Sequence, residues 1–156
     1  MSDHDEVSIA HMTMIQGIVT RLEANCFTLK ALAMTLATAV LAFSGSVDNP
    51  NWSYPLAGCL PVAVFWIMDA TYLRMGRLFR HLFNAVRVGD VDDLFSMDTS
   101  PYGQQEQSVW RIAVSWSVCW FYLSIIVAFG IVSFYFFGQG APDNGKEMLL
   151  QLPLYP

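Results

Sequence analysis

One uncharged stretch limits what this chain can fold into more than any other feature. Residues 112–138 contain no Asp, Glu, Lys or Arg. About 20 mostly apolar residues in a helix cross the hydrocarbon core of a bilayer. The composition agrees, because only 13% of all residues are charged, whereas soluble domains carry about 25%. We therefore predict an integral membrane protein.

Two further stretches are apolar enough to cross a bilayer. Residues 26–44 carry one charge, Lys30, near their start, and residues 54–73 carry Asp69 near their end. Pro61 is expected to kink the second span, which membrane helices tolerate. The predicted fold class is an all-α membrane protein with three transmembrane helices.

The distribution of Lys and Arg predicts the orientation. The loop at 45–53 has none, and the tail after residue 138 has only Lys146. Basic residues concentrate before the first span and between the second and third: Arg21, Lys30, Arg74, Arg77, Arg80, Arg87 and Arg111. Since basic loops stay in the cytoplasm, we expect the N-terminus inside and the C-terminus outside a bacterial inner membrane, which the chain crosses as a multi-pass protein.

The chain is expected to form a single membrane domain, 1–156. Its predicted parts are a cytoplasmic amphipathic helix at 1–25, spans at 26–44 and 54–73, a cytoplasmic helix and loop at 74–111, a third span at 112–138 and an external tail at 139–156. The first helix either continues into the first span or bends at Gly17 or Asn25. Helical periodicity also predicts a helix over 71–88. The acids Asp90, Asp92, Asp93 and Asp98 follow it without calcium-loop spacing, so we expect them to cap a helix or to pair with the basic residues.

Lys30 and Asp69 lie at matching depth inside the cytoplasmic ends of their spans. An ionisable group in a span is costly unless it is paired or hydrated. We predict that the two residues pair, within a chain or between neighbours. The competing interpretation is that Lys30 extends alone to the interface.

The first span carries small residues at helical spacings of three and four: Thr28, Ala31, Thr35, Thr38 and Ala42. Such a stripe allows close helix packing in lipid. Repeated around a symmetric ring, the same stripe would line a pore with hydroxyl groups. The sequence leaves both interpretations open.

Arg74, Arg77, Arg80 and Arg87 recur along the cytoplasmic helix after the second span. Basic residues on one line of a helix favour a multivalent anion. The alternative is that they only set the topology and contact anionic lipid.

The motifs of enzymes and metal sites do not occur. None of the three His residues stands near a Cys or an acid at ligand spacing, and no phosphate-binding loop or nucleophile motif is present. We expect no enzymatic activity, no cofactor and no metal site. Three spans also cannot enclose a transport path, so conduction would require a symmetric homo-oligomer.

Four runs of residues resemble a family of small bacterial membrane proteins. These runs are 14–30, 65–74, 77–80 and 95–98, with the sequences MIQGIVTRLEANCFTLK, FWIMDATYLR, RLFR and FSMD. The chain is similar in them to membrane effectors encoded beside antiphage signalling enzymes, including the effector of the Hailong type. The resemblance extends over most of the chain from Met14 to about Phe137.

This resemblance implies an oligomeric, gated ion channel that acts by abortive infection. Expected partners are the lipid bilayer, further copies of the chain (a tetramer or a similar number), and a nucleotidyltransferase with its nucleotide or single-stranded DNA product. The arginines at 74, 77, 80 and 87 would contact phosphates, and Tyr102 would either stack on a base or be packed. Two rival hypotheses remain, a non-conducting scaffold or accessory subunit and a transporter component.

Overall fold

The computed structural model describes residues 3–47, 51–91, 93 and 95–139. Its elements in chain order are α1 (Asp3–Ser46), α2 (Ser53–Ala57), α3 (Cys59–Val88), the 3₁₀ helix η1 (Ser100–Tyr102), α4 (Val109–Ala113) and α5 (Trp116–Gln139). Three segments are long and apolar enough to cross a membrane: Glu6–Ser46, Ser53–Val88 and Trp116–Gly138. The predicted all-α architecture with three candidate spans is confirmed. The external tail predicted at 139–156 lies, after Gln139, outside the described residues.

The first helix is continuous. α1 extends from Asp3 to Ser46 as one uninterrupted helix through Gly17 and Asn25, so the first helix continues into the first span. It packs antiparallel along α3, because residues early in α1 contact residues late in α3: Cys26 meets Asp69, whereas Glu23 meets Arg80. The two helices thus share one interface along most of their length.

The second stretch is divided close to the proline at which the sequence predicts a kink. α2 ends at Ala57 and α3 begins at Cys59, so the interruption lies at Gly58, three residues before Pro61. A proline has no N–H to donate to the carbonyl four residues earlier, here that of Ala57, and its ring clashes with that carbonyl. Pro61 falls in the first turn of α3, where backbone N–H groups have no intrahelical acceptor and a missing one costs nothing. α3 ends at the predicted Val88, followed by Gly89 in the left-handed conformation with φ 76°, as glycine-capped helices commonly do.

The third stretch is also divided. α4 ends at Ala113 and α5 begins at Trp116, whereas the sequence predicted one helix over 112–138. The interruption leaves the Ala113 carbonyl available to a neighbouring helix, and the Trp66 indole N–H of α3 donates to it at 2.9 Å. The tertiary contact and the break therefore occur together.

Apolar clusters hold the helices together, and two of them include residues of α1. The larger one sets small residues of α1, Ala33 and Ala37, against the bulky α5 residues Tyr122 and Phe129. Small residues opposite aromatic ones let helices approach closely, which is the main source of packing energy in lipid.

The second cluster lies at the end of the bundle that carries the arginines of α3. Ile15 of α1 packs there against Leu82 and Val86 of α3, and Tyr102 packs onto the same cluster. His11, one turn before Ile15, is buried as well. The segment after α3 is thereby attached to both long helices.

Gly58 is needed for space and not for its backbone conformation, which is an ordinary helical one (φ −67°). A Cβ there would lie 2.8 Å from Cζ of the buried Phe129 and 3.0 Å from Cγ1 of Val40. We expect Gly58→Ala to lower the free energy of unfolding in detergent by about 1–3 kcal/mol. Gly130→Ala, whose Cβ meets nothing within 4 Å, serves as the control; it should raise the free energy of unfolding by up to about 1 kcal/mol, because Ala replaces Gly inside α5. Equal effects of both variants would contradict this account.

Candidate functional site

The structure brings together the two ionisable residues that the sequence places at matching depth. Nζ of Lys30 on α1 lies 2.5 Å from Oδ2 of Asp69 on α3, in the same chain. The Asp69 side chain is 1% exposed, whereas that of Lys30 is 29% exposed. The carboxylate is thus enclosed by the bundle. Among the described residues its charged partner is Lys30, whose ammonium group lies on the more exposed side of the pair.

Asp69 belongs to a polar layer that links all three long helices. Its Oδ1 has no hydrogen-bond partner among the described residues, and neither has the buried Tyr122 hydroxyl of α5. That hydroxyl nevertheless lies near enough to the carboxylate to interact with it electrostatically. The Sγ of Cys26 lies 3.8 Å from the Asp69 backbone oxygen. We call Lys30, Asp69 and Tyr122 the polar layer.

Sequence reasoning missed the aromatic half of this layer. Trp66 stacks on Tyr122 with ring centroids 5.9 Å apart and planes 9° apart. A Tyr or Trp inside an apolar helix is a signal in itself, because its polar tip needs a partner when it is buried. Nothing in the sequence, however, states which of the many aromatic residues of α5 turns inward.

The small-residue stripe lies on the outer face of α1. All five of its residues, Thr28, Ala31, Thr35, Thr38 and Ala42, are exposed in the single chain. At about 100° per residue they fall on the side of the helix opposite to Ala33 and Ala37, which are buried against the rest of the chain. The stripe is therefore a face that the chain itself does not cover.

The threonine hydroxyls of this stripe are already hydrogen-bonded. Those of Thr28, Thr35 and Thr38 each donate to the backbone carbonyl four residues earlier, at 2.9 Å. Because these bonds are internal to α1, the stripe needs neither water nor a polar partner in this conformation.

The arginines of α3 do not form a single line. At about 100° per residue, Arg74, Arg77 and His81 fall within roughly 60° of one another, whereas Arg80 and Arg87 share a neighbouring face. Arg80 pairs with Glu23 of α1, and Arg87 is exposed. The predicted stripe is thus two sets of residues with different surroundings.

The first set holds the segment that follows η1. Arg74 donates from Nε to the Gln107 carbonyl and from Nη2 to the Gly103 carbonyl, both at 3.0 Å. Nη1 of Arg77 lies 3.2 Å from Oε1 of Glu106, and Nε2 of His81 lies 3.4 Å from Oε2. We call the face made by Arg74, Arg77 and His81 the anion face.

Tyr102 stands beside the anion face. Its ring is stacked on that of His81, with centroids 6.3 Å apart and planes 11° apart, and it also packs on the cluster around Leu82. Of the two interpretations of Tyr102, packing is the one seen in this structure.

The acid that pairs with Arg77 is Glu106, which the sequence analysis did not single out. Asp98, one of the four acids that it did name, precedes Thr99, the N-cap of η1, and accepts from the Ser100 backbone N–H at 2.9 Å. Hydrogen bonds from the hydroxyl and backbone N–H of Ser100 lower the pKa of Asp98. Asp92 lies outside the described residues. Within the described ranges, no three His, Cys, Asp or Glu side chains are grouped so as to hold a metal ion.

Within the polar layer, the stabilities of Lys30 and Asp69 variants should be coupled. Removing one partner of a buried ion pair typically costs 3–5 kcal/mol, and the partial exposure of Lys30 places our expectation for Asp69→Ala near 3 kcal/mol, roughly. Adding Lys30→Met should restore part of this loss, because the unpaired ammonium group is gone. Unfolding in mixed detergent micelles measures both.

The control for this cycle is Thr71→Ala, an exposed position of α3 close to Asp69 whose hydroxyl bonds only within the helix; it should shift stability by less than about 0.5 kcal/mol. A double variant no more stable than the Asp69→Ala variant would show that the two residues are not coupled.

Glu106 predicts a pH dependence. Its burial raises the pKa, but hydrogen bonds from the Gln107 backbone N–H, Arg77 and His81 outweigh this, so the pKa lies below the ordinary value of 4.5. A carboxyl with a lowered pKa stabilises the folded state above its ordinary value, and this stabilisation is lost as the pH falls through the folded-state value. The difference in thermal stability between wild type and Glu106→Gln should therefore shrink as the pH falls below about 4.5. A difference that does not vary with pH would mean that the charge of Glu106 contributes nothing.

Comparisons of the chain with protein-family models, with curated proteins and with solved structures return no match. The functional argument accordingly depends on the residues themselves and on the geometry that brings them together.

Proposed function

We propose that this chain is the subunit of a gated ion channel, a symmetric homo-oligomer in the bacterial cytoplasmic membrane with α1 around its axis. The observation that carries the proposal is the uncovered stripe of small and hydroxyl-bearing residues on α1, opposite the face that packs inside the chain. One chain of three spans encloses no path, whereas a ring of copies with this face inward does.

The flanks of the stripe suit such a ring. Exposed bulky residues border it on both sides, Phe27 and Met34 on one and Leu32 and Phe43 on the other. In a ring these side chains would contact the neighbouring α1 helices while the small residues face the axis. Threonine hydroxyls that now bond to their own helix can turn toward water or an ion, because Thr has two accessible χ1 rotamers in a helix.

The proposed orientation places the arginines of α3 in the cytoplasm, as the excess of basic residues in the long connection favours. An anionic signal made there, such as a nucleotide or a short single-stranded DNA from a nucleotidyltransferase, would meet Arg74, Arg77, Arg80 and Arg87. We propose the role as an antiphage effector from the sequence resemblance. In that role, the anionic signal would open or close the channel on infection.

A second candidate function has one observation in its favour. Because the threonine hydroxyls are satisfied within α1, the stripe would also pack dry against another helix. The chain would then be a non-conducting membrane scaffold that recruits a soluble partner through its arginine-bearing end.

Ion flux from liposomes that contain the purified protein distinguishes the two functions. Thr35→Phe should abolish flux without changing the oligomer, because it puts a ring into the proposed axis. The matched control is Val127→Phe, which adds a ring at a half-exposed position of α5 and should leave flux unchanged.

Nucleotides, single-stranded DNA and cell extract are added in parallel, since a missing signal can hold a channel shut. A wild type that stays silent under all these conditions, or flux that Thr35→Phe leaves intact, would overturn the channel and favour the scaffold.

A further inference from the structure

A carboxylate of the chain itself occupies the anion face. Each oxygen of Glu106 meets a different side chain of α3, Oε1 that of Arg77 at 3.2 Å and Oε2 that of His81 at 3.4 Å. The Glu106 side chain is only 10% exposed. This divided contact resembles the way in which two oxygens of a phosphate group are held by separate donors.

Among the described residues, the charges around Glu106 do not balance. Arg74, the third member of the anion face, donates to two neutral carbonyl oxygens, those of Gly103 and Gln107. Two guanidinium groups, joined by His81 when it is protonated, therefore surround one carboxylate. The face retains a positive excess that a group with more negative charge than a carboxylate would compensate better.

The segment that carries Glu106 is lightly attached. Between η1 and α4 it forms turns and extended backbone with no helix or strand of its own. Among the described residues, its polar contacts to α3 are the two carbonyls held by Arg74 and the carboxylate of Glu106, while Tyr102 stays packed on the apolar cluster around Leu82. Glu106 can thus leave the anion face without unpacking that cluster.

We propose that the anion face is a binding site for a phosphate group, and that Glu106 fills it as an internal substitute. A phosphate monoester carries a charge of about −1.5 to −2 at neutral pH and offers three acceptor oxygens, against the single charge of a carboxylate. The planar guanidinium groups of Arg74 and Arg77 suit such oxygens. Binding would displace Glu106 and release the segment 103–107.

Release of this segment would move α4, and α4 contacts the polar layer through Trp66. Gln107 is followed by Ser108, at which α4 begins, and α4 packs on α3 through Ile112 and Ala70. The Ala113 carbonyl accepts the hydrogen bond of Trp66, which stacks on Tyr122. That this movement gates a pore rests on the proposed function, whereas phosphate binding stands on the geometry of the anion face.

The phosphate can belong to a soluble molecule or to a lipid headgroup. Arg77 lies eight residues beyond Asp69 on α3, or about 12 Å along the helix. If Asp69 lies some 7 Å inside the hydrocarbon boundary, Arg77 reaches the headgroup level just outside it, at about 5 Å. The experiment therefore needs one arm for each source.

The soluble arm is a calorimetric titration of the full-length protein in a zwitterionic detergent with inorganic pyrophosphate. We expect Glu106→Gln, which keeps the shape of the side chain and removes its charge, to bind about tenfold tighter than wild type. Adding Arg77→Gln should abolish the gain. Adding Arg21→Gln instead removes the same charge from an exposed position of α1 and should preserve it.

The lipid arm repeats these variants in nanodiscs of phosphatidylcholine, with and without phosphatidylglycerol, and measures thermal unfolding. Stabilisation of Glu106→Gln by phosphatidylglycerol that the Arg77→Gln change removes, without pyrophosphate binding, would identify a lipid headgroup as the occupant. Circular dichroism and elution volume confirm that each variant is folded.

The proposal would be overturned if wild type, Glu106→Gln and the double variant with Arg77→Gln showed the same pyrophosphate affinity and the same lipid response. Neither arm uses an ion gradient. A failure of phosphate binding is therefore distinct from a failure of the channel, which only the flux measurement reports.

Discussion

The cost of a charge in an apolar environment governs this fold. Asp69 is enclosed by apolar helices, and an isolated carboxylate there would be neutralised or would not be tolerated. Its contact with Lys30 requires one relative position of α1 and α3 along their axes, because a shift of one turn would separate the two by about 5 Å. The register that brings Lys30 to Asp69 also brings Glu23 to Arg80 and Ile15 to Leu82. The ion pair and the other contacts of the α1–α3 interface therefore require the same register.

The two faces of α1 show why small residues are distributed as they are. Ala33 and Ala37 leave room for Tyr122 and Phe129 of α5, and Gly58 leaves room for the same Phe129 from the other side. The interior is therefore built from large α5 side chains fitted between small ones of two other helices. The outer stripe repeats this small-residue pattern where the chain offers nothing large to fill it, which is the physical reason for expecting a second copy there.

The sequence predicted what depends on local pattern and missed what depends on distant contact. Apolar length and helical periodicity were sufficient for three candidate spans and for the end of α3 at Val88. The predicted proline interruption of the second span occurs at Gly58, three residues before Pro61. The interruption before Trp116 was not predicted, because no Pro or Gly marks it in the sequence; it coincides with the hydrogen bond from the Trp66 indole, far away in sequence. Glu106 was missed for the same reason, since only the fold brings a loop acid to Arg77.

Charge at two levels of α3, that of Asp69 and that of the anion face, is compensated differently, and this difference bears on function. Inside the bundle Lys30 neutralises Asp69 one for one, as a low dielectric demands. At the anion face the arginines exceed the carboxylate, an imbalance that water tolerates and that an incoming anion can relieve. α4 joins the two regions, because it follows Gln107 directly and its last residue accepts the bond of Trp66. If the arginines served only to set the orientation in the membrane, a contact between Glu106 and Arg77 next to the start of α4 would not be required.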